Sequence, residues 1–188
     1  MYNKNSKTSI SKINLKELIE YYESHVCNYR YTYFLKEDKK LEINFNLDQI
    51  PHLLGLHYLS PTFRGVEGID KIKKESIDLK KIRKLYKDQF KEYAKERIEY
   101  FSCVETILNG ATFIEFNPLQ VKPFSRIKAD YMLYSDEIKT WILLGIKEIN
   151  EEKIIKCVPV TLLIDRDGRF VDKQKMSKVI KFEKELII

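Results

Sequence analysis

A change of hydrophobic period at Asn109-Gly110 constrains the fold of this chain more than any other feature. Before it, Ile82, Tyr86, Phe90, Tyr93, Ile98, Phe101, Val104 and Leu108 recur at helical spacing. After it, residues 111–116, 129–135, 140–146 and 154–164 read as strands, separated by Asn117-Pro118, Asp136-Glu137 and Asn150-Glu151-Glu152. A helical block feeding a run of strands with short connections is the pattern of an α+β domain.

The residues ahead of that block fit the same class. A first helix is expected over residues 15–26, with Asn14 as N-cap and Leu15, Leu18, Ile19 and Tyr22 on one face. Residues 29–36 (YRYTYFLK) and the alternating Leu41, Ile43, Phe45 and Leu47 form a β-hairpin around Glu37-Asp38. Asp48 and Pro51 open a short helix over residues 48–58, and the long helical pattern starts at Ser76. Late in the chain, residues 165–168 (DRDG) are a turn, 169–171 a short strand and 179–185 a helix. The expected architecture is an N-terminal helix and hairpin, central helices, then a curved antiparallel sheet of about four strands.

At 188 residues the chain fits one domain, residues 14–188, behind a flexible polar lead-in of residues 1–13. That lead-in lacks the apolar core of a signal peptide, and no run approaches the length of a membrane span. Cys27, Cys103 and Cys157 are odd in number, widely spaced and set among apolar neighbours. They read as reduced packing residues in a cytoplasmic protein rather than disulfides or a zinc site.

The formal net charge of +6 is concentrated. Residues 71–97 hold eleven Lys/Arg against five Asp/Glu, and the rest of the chain is balanced. Within them Lys80, Lys84, Lys87, Lys91 and Lys95 recur every three or four residues, opposite the apolar stripe. Such a row is either a solvated helix face or an electrostatic track for RNA.

The chemical candidates centre on residues 51–65, PHLLGLHYLSPTFRG, which contain His52, His57 and Arg64. There is no GxGxxG, Walker loop, HExxH or GxSxG, and no carboxylate cluster spaced for two metals, so chemistry without metal or cofactor is expected. RNA cleavage meets that condition, because the substrate supplies its own 2′-hydroxyl nucleophile. A histidine can move the proton, Arg or Lys can neutralise the phosphorane, and hydroxyls can hydrogen-bond to it. His52, Arg64, Arg126, Lys128, Tyr131 and Thr161 are the residue types such a site uses. Each also has an ordinary reading: His52 as a packing residue, Arg64 as a surface charge, Thr161 as a strand former. Tyr29, Tyr31 and Tyr33 are either base-stacking rings or cross-strand packing. His57, five positions past His52 on the expected helix, points away from it.

With those residues in view, the chain resembles the phage-associated barnase–EndoU–colicin–RelE-like nucleases, in the fourth of their phage-type families. The likeness lies in NLDQIPHLLGLHYL, FSCVETILNG, KADYML, VPVTLLIDRD and Lys173-Gln174-Lys175, and covers roughly residues 29–175. It implies helices preceding a curved antiparallel sheet, and a metal-independent ribonuclease that is a toxin or effector of a phage or mobile element. His52 matches the motif histidine and Thr161 the late-strand hydroxyl; Lys128 and Asp130 fall in the segment that faces the groove. Together with the residue types above, the expected site is His52, Arg64, Arg126, Lys128 and Thr161 around the phosphate. Tyr131 and Lys80, Lys84, Lys87, Lys91 and Lys95 would contact flanking RNA. Partners would be RNA and a cognate antitoxin or inhibitor, with no membrane. A non-catalytic nucleic-acid- or protein-binding module on the same scaffold is the alternative.

Overall fold

A computed structural model describes residues 4–36, 38–74, 77–150 and 153–187. Residues 1–3 of the lead-in, Glu37 of the hairpin turn, Ser76 at the expected helix start and Glu151-Glu152 of the third separator lie outside them.

Helix α1, Leu15–Tyr22, starts where Asn14 accepts the Lys16 and Glu17 amides and ends in a wider turn, Glu23–Cys27. Strands β1, Tyr29–Leu35, and β2, Lys40–Asn44, form the antiparallel hairpin. Tyr31 and Tyr33 are fully buried, so two rings of the aromatic alternation belong to the core. Their exclusion from water explains the alternation without any base stacking.

The short helix expected over residues 48–58 is interrupted. Asn46 and Gln49 cap each other's backbone amides, α2 (Ile50–Leu53) makes one turn, and Gly55 reverses the chain at φ +73°. A Cβ at Gly55 would meet the Tyr93 carbonyl oxygen at 2.2 Å. The backbone therefore needs glycine here both for conformation and for space. Helix α3, Gly65–Lys74, follows; its buried Ile69 and Ile72 give it a face that the sequence reading left unassigned.

The long helical pattern is likewise segmented into α4 (Leu79–Leu85), α5 (Lys87–Gln89), a wide turn at Phe90–Ala94, α6 (Lys95–Tyr100) and α7 (Val104–Asn109). The chain leaves helical geometry at Tyr86 (φ −121°, ψ 31°) and Tyr100 (φ −106°, ψ 1°). Those bends let Ile82, Phe90, Ile98, Phe101 and Val104 all reach one curved core.

The strands that follow are β3 (Thr112–Glu115), β4 (Tyr131–Tyr134), β5 (Trp141–Glu148), β6 (Ile155–Asp165), β7 (Lys175–Ser177) and β8 (Val179–Leu186). They join the hairpin in one eight-stranded sheet, ordered β7-β3-β4-β5-β6-β2-β1-β8, rather than a separate sheet of about four. The pairing is antiparallel except between β2 and β6. Only Lys178 separates β7 from β8, yet these strands occupy opposite edges, so the sheet curls until its edges approach each other. The Tyr33 and Phe113 rings, from β1 and β3, meet across the curl with centroids 4.8 Å apart.

Two further expectations are corrected. Residues 179–185 are strand, not helix: β8 covers the free edge of β1, and Phe182 packs on Tyr33 at 5.0 Å. Lys181 and Glu185 stand at a spacing that would pair on a helix, but here the Lys and Glu residues make a charged strand at the sheet edge. Residues 169–171 form a turn, and the short strand begins at Lys175. The segment ahead of α1 touches α6 and α7: Lys7 pairs with buried Glu99 at 3.0 Å and Lys4 with Glu105 at 2.8 Å.

One sheet face packs on the helices. The other carries a smaller core of Ile114, Met132, Tyr134 and Leu143, covered by Phe116, Val121 and Ala129 of the β3–β4 connection and by Phe170.

Candidate active site

Strand β6 outruns its neighbour. It pairs with β2 only over Ile155, Lys156 and Cys157, whereas its pairing with β5 continues to Asp165. Helices α2 and α6 pack against β6. The Val160 carbonyl is thereby available to a side chain, and His52 Nε2 donates to it at 2.6 Å. A carbonyl oxygen only accepts, so Nε2 carries the proton and Nδ1 is the basic nitrogen of the neutral ring. Partial burial lowers the His52 pKa below its ordinary 6.5; the bond to Val160 opposes this, and the Arg97 charge adds to it. At neutral pH His52 is therefore a base held by its far nitrogen.

Around it lies a cleft of about 460 Å³ lined by His52, Tyr58, Arg126, Ile127, Lys128, Lys147, Val160 and Thr161. Four of the residues named from sequence, His52, Arg126, Lys128 and Thr161, come from three distant segments and line this one space. Thr161 is 8% exposed and sits opposite Gly145, where a Cβ would lie 2.7 Å from its Cγ2. Glycine at that β5 position makes room for the threonine methyl. Three cations and no carboxylate among the described lining residues give the cleft a positively charged lining.

The remaining expectations are placed elsewhere. Arg64 is exposed at the end of the Pro61–Phe63 turn and does not line the cleft; its charge reaches His57 instead. Tyr131 is 4% exposed, and its hydroxyl donates to Glu148 at 2.9 Å, so it has no face for a base. Lys80, Lys84, Lys87, Lys91 and Lys95 are spread over α4, α5, the wide turn and α6, and none lines the cleft.

Other cleft features had weak or no sequence signal. Lys147 lies one residue past the expected end of its strand, beyond a register shift at Gly145/Ile146 that disturbs simple alternation. His57 was expected to point away, but the reversal at Gly55 stacks it on His52, with centroids 4.1 Å apart and planes 24° apart. Burial, the neighbouring His52 and the Arg97 and Arg64 charges lower its pKa to about 4, against a Pro51 carbonyl that acts the other way. Tyr58 continues the array, 3.8 Å from His57 and 5.0 Å from Tyr93, with the Arg97 guanidinium 5.7 Å from its ring.

A larger cavity of about 630 Å³, lined by Phe34, Leu35, Lys39, Lys40 and Lys181 among others, contains none of the expected residues. Among the described residues, no group of three or more His, Cys, Asp or Glu is placed to hold a metal, and no helix is long and apolar enough to cross a membrane.

A family model described as phage-Barnase-EndoU-ColicinE5/D-RelE like nuclease4 matches residues 14–186. The chain belongs to that family. The match takes in the helices, the curled sheet and every residue of the cleft. No curated protein and no solved structure matches the chain.

Proposed function

We propose that this member of the nuclease family is an endoribonuclease that needs no metal and cleaves RNA by attack of the 2′-hydroxyl. The observation that carries the reading is the convergence of His52, Arg126, Lys128 and Thr161, with Lys147, on one cation-lined cleft. His52 Nδ1 takes the 2′-hydroxyl proton while the Val160 carbonyl holds Nε2–H and stabilises the imidazolium that forms. Arg126, Lys128 and Lys147 neutralise the phosphorane, and the Thr161 hydroxyl donates a hydrogen bond to it. The departing 5′-oxygen takes its proton from water or from a lysine ammonium of the cleft. The lysines of α4–α6, outside the cleft, contribute long-range attraction rather than contact with the reacting phosphate. As an effector of a phage or mobile element, the enzyme would have a neutralising protein partner.

The test is cleavage of total RNA by purified protein in EDTA, with analysis of the new ends. The reading requires 2′,3′-cyclic phosphates and no cleavage at a position carrying a single 2′-deoxy substitution. Cleavage of that 2′-deoxy position, or dependence on added metal, refutes it.

A further inference from the structure

The connection between β3 and β4 does more than cover the second core. From Phe124 to Asp130 its residues alternate exposed and shielded: Ser125, Ile127 and Ala129 turn inward, and Phe124, Arg126, Lys128 and Asp130 turn outward. That is the periodicity of extended chain. Val121, Ile127 and Ala129 pack into the second core, and the Ser125 hydroxyl accepts the Ile127 amide at 3.2 Å. The outward row is therefore anchored from beneath, and Lys122 precedes it, also exposed. Phe124 is 61% exposed although burial of a phenylalanine is favourable, and it stands two residues from a cleft cation.

Tyr58, which lines the cleft, is 50% exposed. Its contacts with His57, Tyr93 and Arg97 restrict the ring before any ligand arrives. An ordered aromatic loses less entropy on binding than a mobile one.

We infer that Tyr58 and Phe124 are nucleobase contacts on the two sides of the reacting phosphate, so that the cleft takes unpaired RNA drawn along the row from Lys122 to Lys128. This rests on the cleft being a nucleic-acid site. Rings interleaved with cations suit a single strand, because a duplex hides the faces of its bases and a single strand offers them. In-line attack by a 2′-hydroxyl also needs a backbone freed from A-form geometry.

The test uses fluorescence anisotropy with a labelled 12-nucleotide single-stranded DNA, which has bases and phosphates but no 2′-hydroxyl, and the same strand annealed to its complement. Single-strand binding should be at least tenfold tighter than duplex binding. Phe124→Ala and Tyr58→Ala should each weaken it about tenfold, within the range for loss of one base stack. Phe124→Trp and Tyr58→Trp should restore it, and unchanged thermal melting of each variant excludes misfolding. Equal affinity for duplex, indifference to both alanine variants, or no binding at all overturns the inference. Cleavage of RNA in EDTA is scored separately, so ring-dependent binding without cleavage refutes the proposed reaction but not these contacts.

Discussion

Replacing Gly55 with alanine tests whether the sharp reversal after α2 builds the candidate site. Two effects add. A non-glycine residue at φ +73° carries left-handed strain of about 1–2 kcal/mol. The new Cβ would also stand 2.2 Å from the Tyr93 carbonyl oxygen and 3.1 Å from Arg97 Cδ, and relieving such overpacking costs about 1–3 kcal/mol. Together they predict a loss of about 2–5 kcal/mol, or a fall in Tm of roughly 10 °C for a domain of this size. Gly65 provides the control: its φ is +55°, but a Cβ there meets nothing within 4 Å. Gly65→Ala should show the strain alone. Urea denaturation of both variants, followed by far-UV circular dichroism, separates the two effects. Gly55→Ala should also slow RNA cleavage at temperatures where it remains folded, because the displaced turn removes the ring stacked on His52 and shifts Tyr58, which lines the cleft. Equal stability of the two alanine variants would refute the close approach to Tyr93.

Other expectations follow from the cleft and from the N-terminal contacts. Replacing Arg126, Lys128 and Lys147 together with alanine should make the salt dependence of single-strand binding shallower by about 2 in the log–log slope, at roughly 0.7 per phosphate contact; Lys84/Lys87/Lys91→Ala should change it less. Cleavage should fall on acidification through a pKa below 6.5, where His52 takes up its proton and ceases to act as a base. Folding stability should decline over a related window: His57 has a folded pKa of about 4, below its ordinary 6.5, so the unfolded chain binds more protons between those values. Stability is then lost as pH falls from 6.5 toward 4, and His57→Phe should flatten that decline in pH-dependent melting curves. Deleting residues 1–8 removes Lys4 and Lys7 from Glu105 and Glu99, and should lower urea stability by about 1–3 kcal/mol.

The local patterns that read well were apolar runs bounded by turn residues. The strands β3 to β6 fell within a residue or two of their expected positions because signals such as Asn117-Pro118 and Asp136-Glu137 mark where each run stops. His52, Arg126, Lys128 and Thr161 were legible as residue types, but their meeting at one cleft depends on long-range topology. In particular, β6 must extend beyond β2 for His52 to reach the Val160 carbonyl. Failures came where tertiary structure overrode local signal. Lys181 and Glu185 of β8 stand four residues apart, a spacing that also suits a helix, but the open edge of β1 recruits the segment into the sheet. Tyr131 carried a plausible stacking ring, but β4 turns it inward toward Glu148. Lys147 and Tyr58 were missed because a register shift and a glycine reversal, neither marked by periodicity, place them. The lysine stripe assumed one continuous helix, and the bend at Tyr86 and the wide turn at Phe90–Ala94 interrupt that face.

The most direct test of the central claim is the single-turnover rate at which wild type and His52→Ala cleave a labelled unpaired RNA in EDTA, with the fold of each checked by circular dichroism. A general base contributes about 10²–10⁴-fold, so the folded variant should be slower by at least a hundredfold. A rate within a few-fold of wild type would remove His52 from the chemistry and contradict the account.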